Sequence, residues 1–183
     1  MTFSLLFWLT LAVLLFWSLG AYNRLVRLRA QVIGTFSAVD HRLVQVLTLV
    51  SERAVVQRGQ APTPGAAVCG PSDQIEASLD GLQGAAIQFE VALRVARKAP
   101  LDALSMAALR TACATMQVSW ERSQEPPDDA LAANQRAWED NQQASKDALE
   151  SFNRSVAIYN RAITQFPAAV LAYFFGFRAA ESL

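Results

Sequence analysis

The side chains able to do chemistry are few and scattered. The chain holds one histidine, His41, and two cysteines, Cys69 and Cys113. A zinc site built from them would need all three plus a further ligand, at spacings that match no usual zinc pattern. Di-iron centres in helical bundles need Glu-x-x-His pairs on two helices, which a single histidine cannot supply. His41 follows Asp40, with no serine or cysteine at a nucleophile-motif position. There is no glycine-rich phosphate loop and no H-E-x-x-H. The expectation is therefore a protein that is not an enzyme, with no catalytic residues, metal or cofactor and no small-molecule substrate. Cys113 reads as a small packed hydrophobe and Cys69 as a linker residue, and a disulfide scaffold is not expected in a helical chain of this size. Sixteen basic and sixteen acidic residues cancel, so no global field draws the chain to nucleic acid or to anionic surfaces. Nucleic-acid binding is not expected.

The residues that do carry an instruction are apolar, aromatic and basic. From Phe3 to Leu19 only Ser4, Thr10 and Ser18 are polar, and no side-chain charge precedes Arg24. About twenty helical residues span roughly 30 Å, the thickness of a hydrocarbon core. Trp17 and Tyr22 fall where such a helix would leave the membrane, as interfacial aromatics do. Residues 1–21 are thus expected to form a transmembrane anchor. The rival is a cleaved signal peptide, since Ser18-Leu19-Gly20 is a small-x-small pattern, but no Lys or Arg precedes the run and the run is longer than a usual signal core. Arg24, Arg27 and Arg29 follow at once, so the positive-inside rule puts the rest of the chain in the cytoplasm. The expected location is the inner membrane, single-pass, with a short N-terminus outside. The lipid bilayer is then the first partner.

The elements that must carry these residues read as helices. Leu25, Leu28, Val32, Phe36, Val39, Leu43, Val46 and Val50 recur at spacings of three and four, a near-continuous apolar seam on a helix running on from the anchor. "GQAPTPGAAVCGPSD" (Gly59–Asp73) is a linker, and Asp73 with Glu76 reads as a capping box. Ile75, Leu79, Leu82, Ala86, Phe89, Leu93 and Ala96 form a second seam, ending at Pro100. Met106, Leu109, Cys113, Met116 and Trp120 mark a third. A further break lies near residues 123–128, and a fourth helix runs from about Asp128 to Gln165, with its seam at Trp138, Leu149, Phe152, Val156, Tyr159, Ile163 and Phe166. Residues 22–183 are expected to form an all-α, elongated antiparallel four-helix bundle joined to the transmembrane helix. Six Arg and two acids lie between Ala21 and Gln60, against eight acids and three bases between Glu121 and Glu150. The flanks of the first and fourth helices could attract each other, or simply be solvated surface.

Two stretches carry motifs that belong together. The first, Ala21–Asp40, carries Tyr22-Asn23, Leu25-Val26, Leu28-Arg29 and Val39-Asp40. The second, Phe152–Phe177, carries Phe152-Asn153, Tyr159-Asn160, Ile163, Phe166-Pro167, Ala172 and Phe175-Gly176-Phe177. Together they resemble the LemA family of bacterial membrane-anchored helical proteins, and they cover about a quarter of the chain, at its two ends and in the right order. The middle matches only loosely: "HRLVQVLTLV" (His41–Val50) lacks the proline usual there. The resemblance implies an N-terminal transmembrane helix and an elongated bundle, and a membrane-anchored scaffold or adaptor of the bacterial envelope. Its partner would be another membrane or cytosolic protein. Some family members are encoded beside membrane metalloproteases, which makes an accessory subunit of such a protease the alternative.

Phe152 and Tyr159 are seven apart and share a helix face, with Asn153 and Asn160 on the adjacent stripe. Asn is a poor mid-helix residue. Its recurrence suggests side-chain hydrogen bonds to a neighbouring helix, near Asn23, that fix register. Solvent-facing Asn is the plainer alternative. Pro167 should end or kink the fourth helix. The apolar run after it, Ala168–Phe177, is about 15 Å long if helical. It either packs into the core or returns to the anchor's exit, setting Tyr173, Phe174, Phe175 and Phe177 at the interface around Gly176.

Overall fold

The computed structural model describes residues 2–60, 71–123, 131–166 and 168–183. It contains α1 (Thr2–Gln60), α2 (Pro71–Lys98), α3 (Ala103–Arg122), α4 (Ala132–Thr164) and α5 (Ala168–Phe175), and no strand among the described residues. Cys69, Pro167 and most of both expected linkers lie outside them.

α1 is continuous for 59 residues, about 88 Å at the helical rise. Its N-terminal part is exposed in every described residue from Leu6 to Trp17, and is long and apolar enough to cross a membrane. Below Tyr22 the helix changes character. Leu25, Val32, Phe36, Val39, Leu43 and Val50 are buried, and Leu28 and Val46 half-buried, as the seam of threes and fours requires. α4 lies antiparallel along this seam: Phe36 meets Phe152 at 5.8 Å between ring centroids. α2 and α3 form a hairpin whose corner is capped by Asp102. Its carboxylate accepts from the N–H and the hydroxyl of Ser105 at 2.9 and 2.7 Å, and these bonds hold Asp102 below its usual carboxylate range. Leu82, Phe89, Leu93 and Ala96 of α2 face Met106, Leu109, Ala112, Met116 and Trp120 of α3 across one shared core. Cys113 is part of that packing, and burial pushes its thiol up to about 11. The result is an antiparallel four-helix bundle.

The seams stop where the helices stop. α4 ends at Thr164 because Gln165 turns extended. Phe166, expected to close the fourth seam, is 78% exposed. The helical period no longer governs its direction, and its ring lies instead 5.8 Å from that of Trp17. An ion pair joins α1 to α2, from Arg97 to Asp40 at 2.6 Å.

Candidate functional site

Two features meet at the end of the bundle where the apolar segment of α1 joins it: an exposed aromatic face and a clamp for residues 178–183. α5 folds back on the point where α1 leaves its apolar segment. Phe175 and Phe177 lie 4.9 and 6.2 Å from the ring of Tyr22. Only Ala172 of α5 is buried, while Tyr173, Phe174 and Phe175 are 86%, 77% and 61% exposed. The apolar run is therefore not a core helix: one small residue seats it and its aromatic rings point outward. A cleft of about 420 Å³ opens beside it, walled by Trp17, Gly20 and Ala21 and rimmed by Arg24 and Gln165. Arg24, Arg27 and Arg29 are exposed just past this level.

α5 closes with a Schellman-type stop. Gly176 takes φ +69°, a left-handed conformation that favours glycine, and the Phe177 N–H bonds back to the Ala172 carbonyl at 2.9 Å. From there residues 177–183 run without regular structure up the bundle, between α3 and α4.

Asn160 and Asn153 hold this tail by its main chain. The Asn160 amide donates to the Ala180 carbonyl at 2.8 Å and its Oδ1 accepts the Ala180 N–H at 2.9 Å. Asn153 repeats the pair on Leu183, at 2.9 and 3.0 Å. The Tyr159 hydroxyl donates to the Arg178 carbonyl at 3.0 Å. Burial raises the Tyr159 phenol above its ordinary value, against a smaller opposing pull from Arg29. On the opposite wall Arg110 of α3 donates to Glu181 at 2.9 Å and to the Ser182 carbonyl. Two residues of one amide stripe on α4 thus act as a single device. The expectation that they bond a neighbouring helix near Asn23 is corrected: Asn23 is exposed, and the partner is a tail without periodicity of its own.

The distal end is built differently. There the indole rings of Trp120 and Trp138 stack at 4.0 Å and 8°, closing α3 directly on α4. Arg53 lies 4.7 Å over Trp120. Arg53 and Gln57 both donate to the Ser123 carbonyl, at 2.7 and 3.0 Å, where α3 ends. These two buried polar residues continue the spacing of the α1 seam past Val50. Their position on that line was the available signal, and residue type hid it. Between the ends, an open groove of about 530 Å³ is lined by Arg42, Thr48, Asp140 and Asn141.

Among the described residues no cluster of three His, Cys, Asp or Glu side chains is placed to hold a metal ion. The chain matches no known family, no curated protein and no solved structure.

Proposed function

We propose that this protein is a membrane-tethered, non-enzymatic scaffold or adaptor of the bacterial envelope, of the kind the LemA-like ends of its sequence imply. One observation carries the reading. The aromatic face of α5 sits at the level of Tyr22, with Phe166 against Trp17 beside it, where the apolar part of α1 gives way to Arg24, Arg27 and Arg29. Amphipathic rings favour the headgroup level and arginines the aqueous side of it. With α1 crossing the bilayer, α5 lies in the cytoplasmic leaflet and seats the base of the bundle on the membrane. Two attachments fix the tilt of the bundle as well as its location, which suits a platform that presents surfaces to other proteins.

Labelling in intact cells tests the arrangement. In a Cys113→Ser background, Cys69 is expected to resist a membrane-impermeant thiol reagent until the cells are permeabilised, and the protein to stay with the inner membrane. Labelling of Cys69 from outside would overturn the orientation and return the first segment to a signal peptide.

A further inference from the structure

The tail is held in an unusual way for a structural segment. The α4 hydrogen bonds to residues 178–183 go to the main chain, through main-chain oxygens of Arg178, Ala180 and Leu183 and the N–H groups of the last two. Main-chain recognition does not depend on whose chain supplies the amides. The spacing is matched as well. Asn153 and Asn160 are seven helical residues apart, about 10.5 Å along α4. Ala180 and Leu183 are three residues apart and present the same edge, which is the period of a polyproline-II-like chain rising about 9 Å in three residues. Little apolar surface secures the tail: Ala180 is buried, and Phe177 and Leu183 only half-buried. Segments of that kind open at low free energy, and Gly176 supplies a pivot.

We propose that the groove between α3 and α4 is a binding site for an extended peptide segment of a partner protein, with residues 178–183 as its resident, exchangeable occupant. The occupant shows what the groove accepts. The position of Ala180 takes a small side chain, because it is buried between the helices. The next position takes an acid, facing Arg110. The position of Leu183 takes an aliphatic side chain against the core. Proline is excluded at both clamped positions, since each must give an N–H to an asparagine. A partner therefore carries small–acid–any–aliphatic in an extended, exposed stretch, and binding it releases the tail.

The test uses the full-length protein in lipid nanodiscs and a fluorescent peptide with the sequence of residues 177–183. Ala180→Asp places a charge in the buried position and expels the resident tail without touching the groove. That variant is expected to bind the peptide saturably, and wild type at least about tenfold more weakly, because its competent state is the minor one. Adding Asn153→Ala and Asn160→Ala to the variant is expected to abolish binding. The same peptide carrying Ala180→Pro and Leu183→Pro is expected not to bind. A helical Ala180→Asp chain that ignores the peptide, or binds it regardless of Asn153 and Asn160, overturns the proposal. Wild type gives an independent readout. Excess peptide is expected to speed amide hydrogen exchange at Ala180 and Leu183 while α4 stays protected, and unchanged exchange overturns it. Tails traded between two copies, seen as dimers that the peptide does not dissociate, also overturn it.

Discussion

Asn134 and Asn141 are seven residues apart on α4, and so are Asn153 and Asn160. The distal pair donates one bond each to carbonyls of α1, to Leu49 at 3.1 Å and to Arg42 at 3.3 Å. Their Oδ1 atoms are buried and accept nothing among the described residues. The pair nearer α5 uses both ends of each amide on an irregular tail with free N–H and C=O groups. The difference lies in the partner. A helix has already spent its N–H groups internally, so an asparagine laid against it can donate but has nothing to accept. An extended tail offers a donor and an acceptor on one residue. Where α4 meets a helix, closure rests on packed rings, Trp120 on Trp138. Where it meets the tail, closure rests on hydrogen bonds.

That contrast can be broken at either end. The largest effect is expected from Trp138→Ala, which removes the stacked ring from the distal closure and should cost about 3–5 kcal/mol in chemical denaturation. Next is Asn153→Ala with Asn160→Ala. Four tail bonds are lost, worth about 2–4 kcal/mol of tail docking, and hydrogen exchange at Ala180 and Leu183 should accelerate while α1 and α4 stay paired. Tyr159→Phe deletes one bond to the tail, about 0.5–1.5 kcal/mol. It should also flatten the alkaline limb of the stability curve. The folded phenol holds its proton above the ordinary value near 10. The unfolded chain therefore ionises first, and the stability present below that pH is lost as pH rises past it. The smallest effect belongs to Asn134→Leu with Asn141→Leu. Removing two buried acceptors that lack donors should leave the midpoint unchanged or raise stability by up to about 1 kcal/mol. A loss as large as that of the Asn153 and Asn160 pair would erase the distinction.

The helices and their inward faces were legible because apolar spacing follows helix geometry. Leu25 to Val50, Leu79 to Ala96, Met106 to Trp120 and Phe152 to Ile163 face inward largely as their periods require. Phe166 continued the count past the helix end, and a period has no meaning beyond the last turn. The asparagine repeat was visible, but its partner was not, since residues 178–183 have neither seam nor cap to announce a position. Arg53 and Gln57 sit on the α1 seam where an apolar residue would be expected, and the end of α3 at Ser123, to whose carbonyl both donate, gives them partners. The aromatic exposure of α5 could not be separated from core packing by composition alone. One buried residue, Ala172, decides it.

Seating of the bundle on the membrane is tested most directly by the depth of α5 in a bilayer. A full-length chain with Cys69→Ser and Cys113→Ser, carrying Phe174→Cys labelled with an environment-sensitive dye, is placed in nanodiscs whose lipids carry a quencher near the headgroup. The dye at position 174 is expected to be blue-shifted and strongly quenched, and that in the matching Val118→Cys chain, on the distal half of α3, to be unquenched. A dye at position 174 as solvent-exposed and unquenched as the one at 118 would contradict that seating.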